Sequence, residues 1–149
     1  MQAQMLAPAA ALVAWSLLML IWTALSRFPA LSKVGIDLKK AEPGGRGQDL
    51  EGQLPANVNW KSHNFTHLME QPTIFYPTVI IIAMMGASAG DVTAAWIYVG
   101  LRVVHSLWQS LVNTVSVRFM IFFLSTCALI YLAYSAISLT LLFEPGAAL

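Results

Sequence analysis

The chain has 149 residues, enough for one domain. It is 58% hydrophobic and 10% charged, against roughly 25% charged in ordinary soluble domains, which excludes a soluble globular fold and points to an all-α integral membrane protein. A formal net charge of +1 argues against nucleic-acid binding, because neutralising phosphates requires a basic patch. The single cysteine, Cys127, excludes an intrachain disulfide and any cysteine-based metal motif.

Residues 5–25 are uncharged and long enough to cross the hydrocarbon layer, which takes about 20 residues in a helix. No Lys or Arg precedes them and the apolar run is too long for a signal-peptide core, so a retained first helix is expected. Residues 32–59 then read as a solvated polar connector: Lys39, Lys40, Glu42, Pro43, Gly44, Gly45, Arg46, Gly47, Asp49 and Glu51 all fall in it. Further spans are expected at residues 65–89, 92–112 and 119–143, making a four-helix bundle over a single domain of residues 1–149. The second span carries Pro72 and Pro77, which should kink it and free backbone carbonyls near Glu70. Gly90 and Asp91 mark a short link that makes spans two and three antiparallel neighbours. Cys127, in the last span with no cation nearby in sequence, reads as buried apolar filler.

Basic residues set the expected orientation. Arg27, Lys33, Lys39, Lys40, Arg46 and Lys61 lie between spans one and two, Arg118 lies between spans three and four, and both connections fall on one side of a four-span topology. The bias puts the 32–59 connector in the cytoplasm and both termini outside.

Two polar stripes interrupt this apolar background. His63, His67 and Glu70 are spaced i, i+4, i+7; Tyr98, Arg102, His105 and Gln109 are spaced i, i+4, i+7, i+11. Each set falls on one face of a continuous helix. Titratable groups at membrane depth are costly and usually face the bundle interior, where they pair or bind something, so the stripes are the candidate site. The structural alternative is an ion pair between Glu70 and Arg102 that orders the helices. A metal reading of His63, His67, Glu70 and His105 is weaker, because three histidines are few for a membrane metalloenzyme; no metal site is assigned.

Together the motifs resemble the MAPEG superfamily, the membrane-associated proteins of eicosanoid and glutathione metabolism. The resemblance rests on Trp96-Ile-Tyr-Val-Gly-Leu-Arg-Val-Val-His105 in the third span, on the step from Arg102 to Arg118, and on His67-Leu-Met-Glu70-Gln-Pro-Thr-Ile-Phe-Tyr76. The first two features are similar to microsomal glutathione transferases; the third is similar to the bacterial branch, where an Asn-x2-Glu-x-Pro motif opens the second helix. The resemblance implies a homotrimer in a bacterial inner membrane, with glutathione as co-substrate bound between subunits near the cytoplasmic face and a lipophilic partner substrate arriving through the lipid. It implies Arg118 as the catalytic stabiliser of the glutathione thiolate. His63, His67, Glu70, Tyr98, Arg102 and His105 would bind or line the glutathione site. The chain departs from the eukaryotic enzymes at His67, where Asn is usual, at His63, where an Arg would contact a glutathione carboxylate, and at Gln109, which is Tyr in several members. A non-catalytic lipid-binding or accessory membrane subunit of the same fold is the alternative function.

Overall fold

The computed structural model describes residues 1–37, 40 and 43–142. The connector residues Lys39 and Glu42 and the expected end of the last span, Phe143, lie outside them. The described chain is all-α. Its first helix, α1 (Gln2–Lys33), buries a narrow stripe of Met5, Pro8, Leu12, Ser16 and Met19 at steps of three and four residues. Its other apolar residues, Leu17, Leu18, Ile21 and Leu25 among them, are exposed. In water such a surface would drive aggregation; in lipid it is the required exterior. Ser16 satisfies its own hydroxyl on the Leu12 carbonyl at 2.9 Å, as a polar side chain in an apolar helix must.

Helix occupies both ends of the segment expected as a loop, since α1 runs to Lys33 and α2 (Ala56–Leu68) begins inside it. Between them the connector folds back on the helix ends. Leu54 packs with Ala30 and Leu31 in a small core, joined by Ile36, Leu50 and Val58. A 3-10 turn at Gly47–Leu50 is closed by the Arg46 amide donating to Asp49 Oδ2 at 2.7 Å. Arg27 ties this turn to the helices, donating to the Gly47 carbonyl and, at 3.0 Å, to Ser62 Oγ.

The second apolar run is two helices. α2 stops at Leu68, residues 69–71 form a turn, and α3 (Pro72–Met85) starts with its proline in the first turn. Proline has no N–H to donate and disfavours helical geometry in the residue before it, so the break falls where Pro72 puts it. α3 ends at Gly86, whose φ of 116° is the left-handed cap that glycine supplies without a side-chain clash. Ser88 caps α4 (Ala89–Leu111) through a reciprocal pair with Asp91: Ser88 Oγ accepts from the Asp91 amide, and the Ser88 amide donates to Asp91 Oδ2 at 2.8 Å. A short link then leads into α5 (Val115–Thr140).

Three stretches, Gln2–Lys33, Ala56–Met85 and Val115–Thr140, are long and apolar enough to cross a membrane. α4, with 23 residues, is about 34 Å long and so also matches the hydrocarbon thickness. Its composition falls short because its buried face is the polar one. That face carries Tyr98, Arg102, His105, Ser106, Gln109 and Ser110, while Trp96, Ile97, Val104 and Leu111 are exposed. α4 packs against α1, α2 and α5, so the stripe sits among the other helices. Near the α3–α4 turn the bundle core is apolar (Met5, Phe75, Val79, Ile82, Ala95, Leu132); toward the connector it becomes polar. Cys127 is exposed on the outer face of α5, not buried as its apolar surroundings suggested.

Candidate functional site at the connector end of the bundle

The second stripe is buried along its length: Tyr98 is 0% exposed, Arg102 1%, His105 2% and Gln109 1%. The first is not one helix face. The break before Pro72 leaves His67 in the last turn of α2 and Glu70 in the turn beyond it. Ending α2 there also exposes carbonyls that a continuous helix would have used. One of them is taken up: Arg102 Nη2 donates to the His67 carbonyl at 2.6 Å. The Glu70–Arg102 ion pair is therefore not formed; Glu70 Oε2 lies 3.0 Å from His67 Nδ1 instead.

These contacts build a pocket of about 160 Å³ lined by His67, His105, Val115, Arg118, Phe119 and Phe122. α2 contributes His67 and α4 contributes His105, their rings meeting edge to face with centroids 6.0 Å apart. The first two turns of α5 contribute the rest. Phe122 sits behind His105 and Arg102, its ring 6.1 Å from that of His105 and 5.9 Å from the Arg102 guanidinium carbon, the latter within the range of a cation–π contact. Arg118 reaches back from α5, donating from Nη1 to Asn113 Oδ1 at 2.7 Å. Of Arg102's donors, Nε and Nη1 are buried without a partner among the described residues, a costly state that a bound anion or water would relieve. The His105 side chain makes no hydrogen bond among them either, although it lines the pocket.

The structure thus brings His67, His105 and Arg118 to one pocket, with Arg102 bonded to the His67 backbone and Glu70 beside its ring. It does not bring His63 or Tyr98 there. His63 Nε2 pairs with connector Glu51 Oε1 at 2.8 Å, one turn and more toward the connector. Tyr98 stacks on Phe75 with centroids 4.4 Å apart and donates to Gln71 Oε1 at 3.3 Å. Gln71 in turn donates to Thr126 Oγ1 at 2.8 Å, so Tyr98 holds the α2–α3 break against α4 and α5.

Phe122 and Gln71 were not singled out in the sequence. Phe122 is four residues beyond Arg118 and so shares its helix face, a spacing that could have found it. Gln71 is visible only as a polar residue immediately before a helix-starting proline.

The MAPEG family model matches residues 5–138. The chain belongs to the MAPEG family. No curated protein and no solved structure matches it. Membership makes this an integral membrane protein of a family concerned with glutathione and eicosanoid chemistry, whose members generally use glutathione. The donor set suits the anionic parts of that tripeptide: Arg118 and the rings of His67 and His105 line the pocket, Arg102 is bonded to the His67 carbonyl behind it, and Glu70 lies beside the His67 ring. The pocket of one chain, at about 160 Å³, is smaller than the roughly 300 Å³ at which ligand sites begin.

Proposed function

We propose that this MAPEG protein is a glutathione-dependent transferase or peroxidase acting on lipophilic electrophiles within the membrane. The observation that carries the reading is Arg118: a cation lining a mostly apolar pocket, with only Nη1 of its guanidinium hydrogen-bonded among the described residues. A thiol of pKa about 8.5 is mostly protonated at neutral pH, and a neighbouring cation in a low-dielectric site favours the thiolate. Arg118 would hold the thiolate, while Arg102, His67 and Glu70 would orient the tripeptide and His105 would line its pocket. The thiolate sulfur then attacks an electrophilic carbon, forming a C–S bond as the leaving group departs with its electron pair; the thiol proton goes to water. With a lipid hydroperoxide the sulfur attacks the terminal oxygen instead, the O–O bond breaks, the departing alkoxide takes a proton from water and leaves as the alcohol, and a second glutathione resolves the sulfenic acid to disulfide and water.

The small pocket of a single chain supports a site completed by a neighbouring subunit, as in the homotrimer the family resemblance implies. The basic residues of the connector side support a cytoplasmic orientation for it in a bacterial inner membrane, facing the compartment where thiols are kept reduced.

Ultraviolet difference titration of the purified protein with glutathione tests the reading. A saturable thiolate signal that Arg118→Ala abolishes is expected, with conjugation falling far more than binding. A folded wild-type protein that gives no signal would overturn it in favour of a lipid-binding or accessory subunit. The observation on that side is His63: it stands where the family's carboxylate-binding Arg is expected and is engaged by Glu51. A stable partner retained after mild detergent extraction would add to that alternative.

A further inference from the structure

Three helices among the described residues end in the left-handed region: α1 and α3 do so with glycine (Gly35, φ 74°, and Gly86), α4 does not. α3 ends at Gly86, φ 116°; α4 ends at Val112, followed by Asn113 at φ 58°, the one non-glycine residue with positive φ among the described residues. The backbone at Asn113 asks only for a residue that tolerates this conformation, and its amide closes the helix by donating to the Trp108 carbonyl at 2.8 Å. Glycine is the default at such a position because it has no Cβ to clash. Asparagine is the usual second choice, and it adds a side-chain carbonyl. Here that carbonyl accepts from Arg118 Nη1 at 2.7 Å.

Arg118 needs such a partner. It lies in the first turns of α5, near the positive end of the helix dipole, where a cation is disfavoured. Thr114, the N-cap of α5, makes no side-chain capping bond that would offset this. Side chains of a helix lean toward its N-terminus, so the guanidinium reaches back over the α4–α5 link and meets Asn113. Arginine has five N–H donors in a rigid planar fork. Fixing one of them fixes the plane of the rest, which border the pocket with His67 and His105.

We propose that Asn113 is the positioning residue for Arg118: its side-chain carbonyl, presented by a left-handed turn, sets the guanidinium at the pocket, and thiol activation depends on it. The inference rests on the role proposed above for Arg118. It adds that the α4–α5 turn is part of the chemistry as well as a connection.

Asn113→Gly is the informative variant, because glycine keeps the left-handed backbone and removes only the acceptor. The full-length protein in detergent would be titrated with glutathione across pH, followed by kinetics with a nitroaryl chloride, for wild type, Asn113→Gly, Arg118→Ala and the double variant. Asn113→Gly is expected to unfold at the wild-type temperature. Thiolate formation should need higher pH, and kcat/KM at neutral pH should fall roughly three- to tenfold, the range of one lost hydrogen bond. Raising the pH should restore most of the loss. In the double variant the Gly substitution should add nothing to Arg118→Ala, as expected of residues acting through one another. If Arg118→Ala loses the thiolate signal while Asn113→Gly titrates as wild type, Asn113 is only a turn residue and the proposal is wrong. If Arg118→Ala keeps the signal, the role given to Arg118 fails and this inference falls with it.

Discussion

Arg102 Nη2 donates to the backbone carbonyl of His67 at 2.6 Å, tying a buried cation on α4 to the last turn of α2. The carbonyl is available because Pro72 ends the helix ahead of it, so one proline both breaks a membrane helix and creates the acceptor for its most buried charge. The remaining donors Nε and Nη1 have no hydrogen-bond partner among the described residues, a cost to stability that a bound anion or water would offset.

Arg102→Met tests that directly. Methionine keeps most of the side-chain volume and removes two unpaired buried donors, whose desolvation costs about 1–3 kcal/mol each. Replacing a poorly compensated buried charge by an apolar side chain is often neutral or stabilising. Thermal unfolding in detergent should be unchanged or rise by a few degrees, while glutathione affinity falls about tenfold or more, as for a lost charged hydrogen bond. A variant that unfolds early and binds normally would make Arg102 structural.

Ser88→Ala probes the fold away from the site. Ser88 Oγ accepts from the Asp91 amide at 3.2 Å and donates to Asp91 Oδ2 at 2.7 Å at the start of the polar helix. Loss of an N-cap of this kind costs about 1 kcal/mol. The unfolding temperature should drop without any change in the glutathione titration, since the cap lies at the end of the bundle opposite the pocket.

How far the sequence led depends on which element is considered. The α4 stripe was legible because Tyr98, Arg102, His105 and Gln109 stand out of an apolar background at helical spacing, and the structure buries all four. The His63–His67–Glu70 stripe read less well. Its spacing assumes an unbroken helix, and although Pro72 announced a kink, the side of the kink on which Glu70 would fall depends on tertiary contacts that no local pattern encodes. The connector misled by composition: its glycines and charges masked Leu50, Leu54 and Val58, spaced like a helix face and packed on α1. Asn113 was legible only as a polar residue near the membrane surface, because a left-handed turn needs one residue and leaves no period to detect.

The Glu51–His63 pair at 2.8 Å is nearly half exposed on both sides, and exposed pairs contribute between zero and about 1 kcal/mol. Glu51→Gln should therefore leave the unfolding temperature within a degree or two of wild type. Its expected effect is on the connector, which should be cut faster by a protease added to the detergent-solubilised protein. Glutathione titration should match wild type. A loss of thiolate signal in Glu51→Gln would instead draw His63 back into the site from which its geometry separates it.

Tyr98 divides the two readings of the buried stripe most sharply. It was expected to line the glutathione site, yet its hydroxyl donates to Gln71 at 3.3 Å and its ring stacks on Phe75, while Gln71 reaches on to Thr126. Tyr98→Phe keeps the stack and removes only the hydroxyl, leaving Gln71 Oε1 without that donor. The loss should cost roughly 0.5–1.5 kcal/mol of stability, seen as a lower unfolding temperature. Activity should fall by less than about threefold, since the defect reaches the pocket only through the α2–α3 break, well under the ~1.4 kcal/mol that a tenfold loss would require. Kinetics and calorimetry on one preparation decide it. A tenfold loss of kcat/KM with unchanged stability would put the hydroxyl in contact with substrate and return Tyr98 to the site; a stability loss with near-normal turnover identifies it as the lock that holds the helix break, and with it the His67 carbonyl, in place for Arg102.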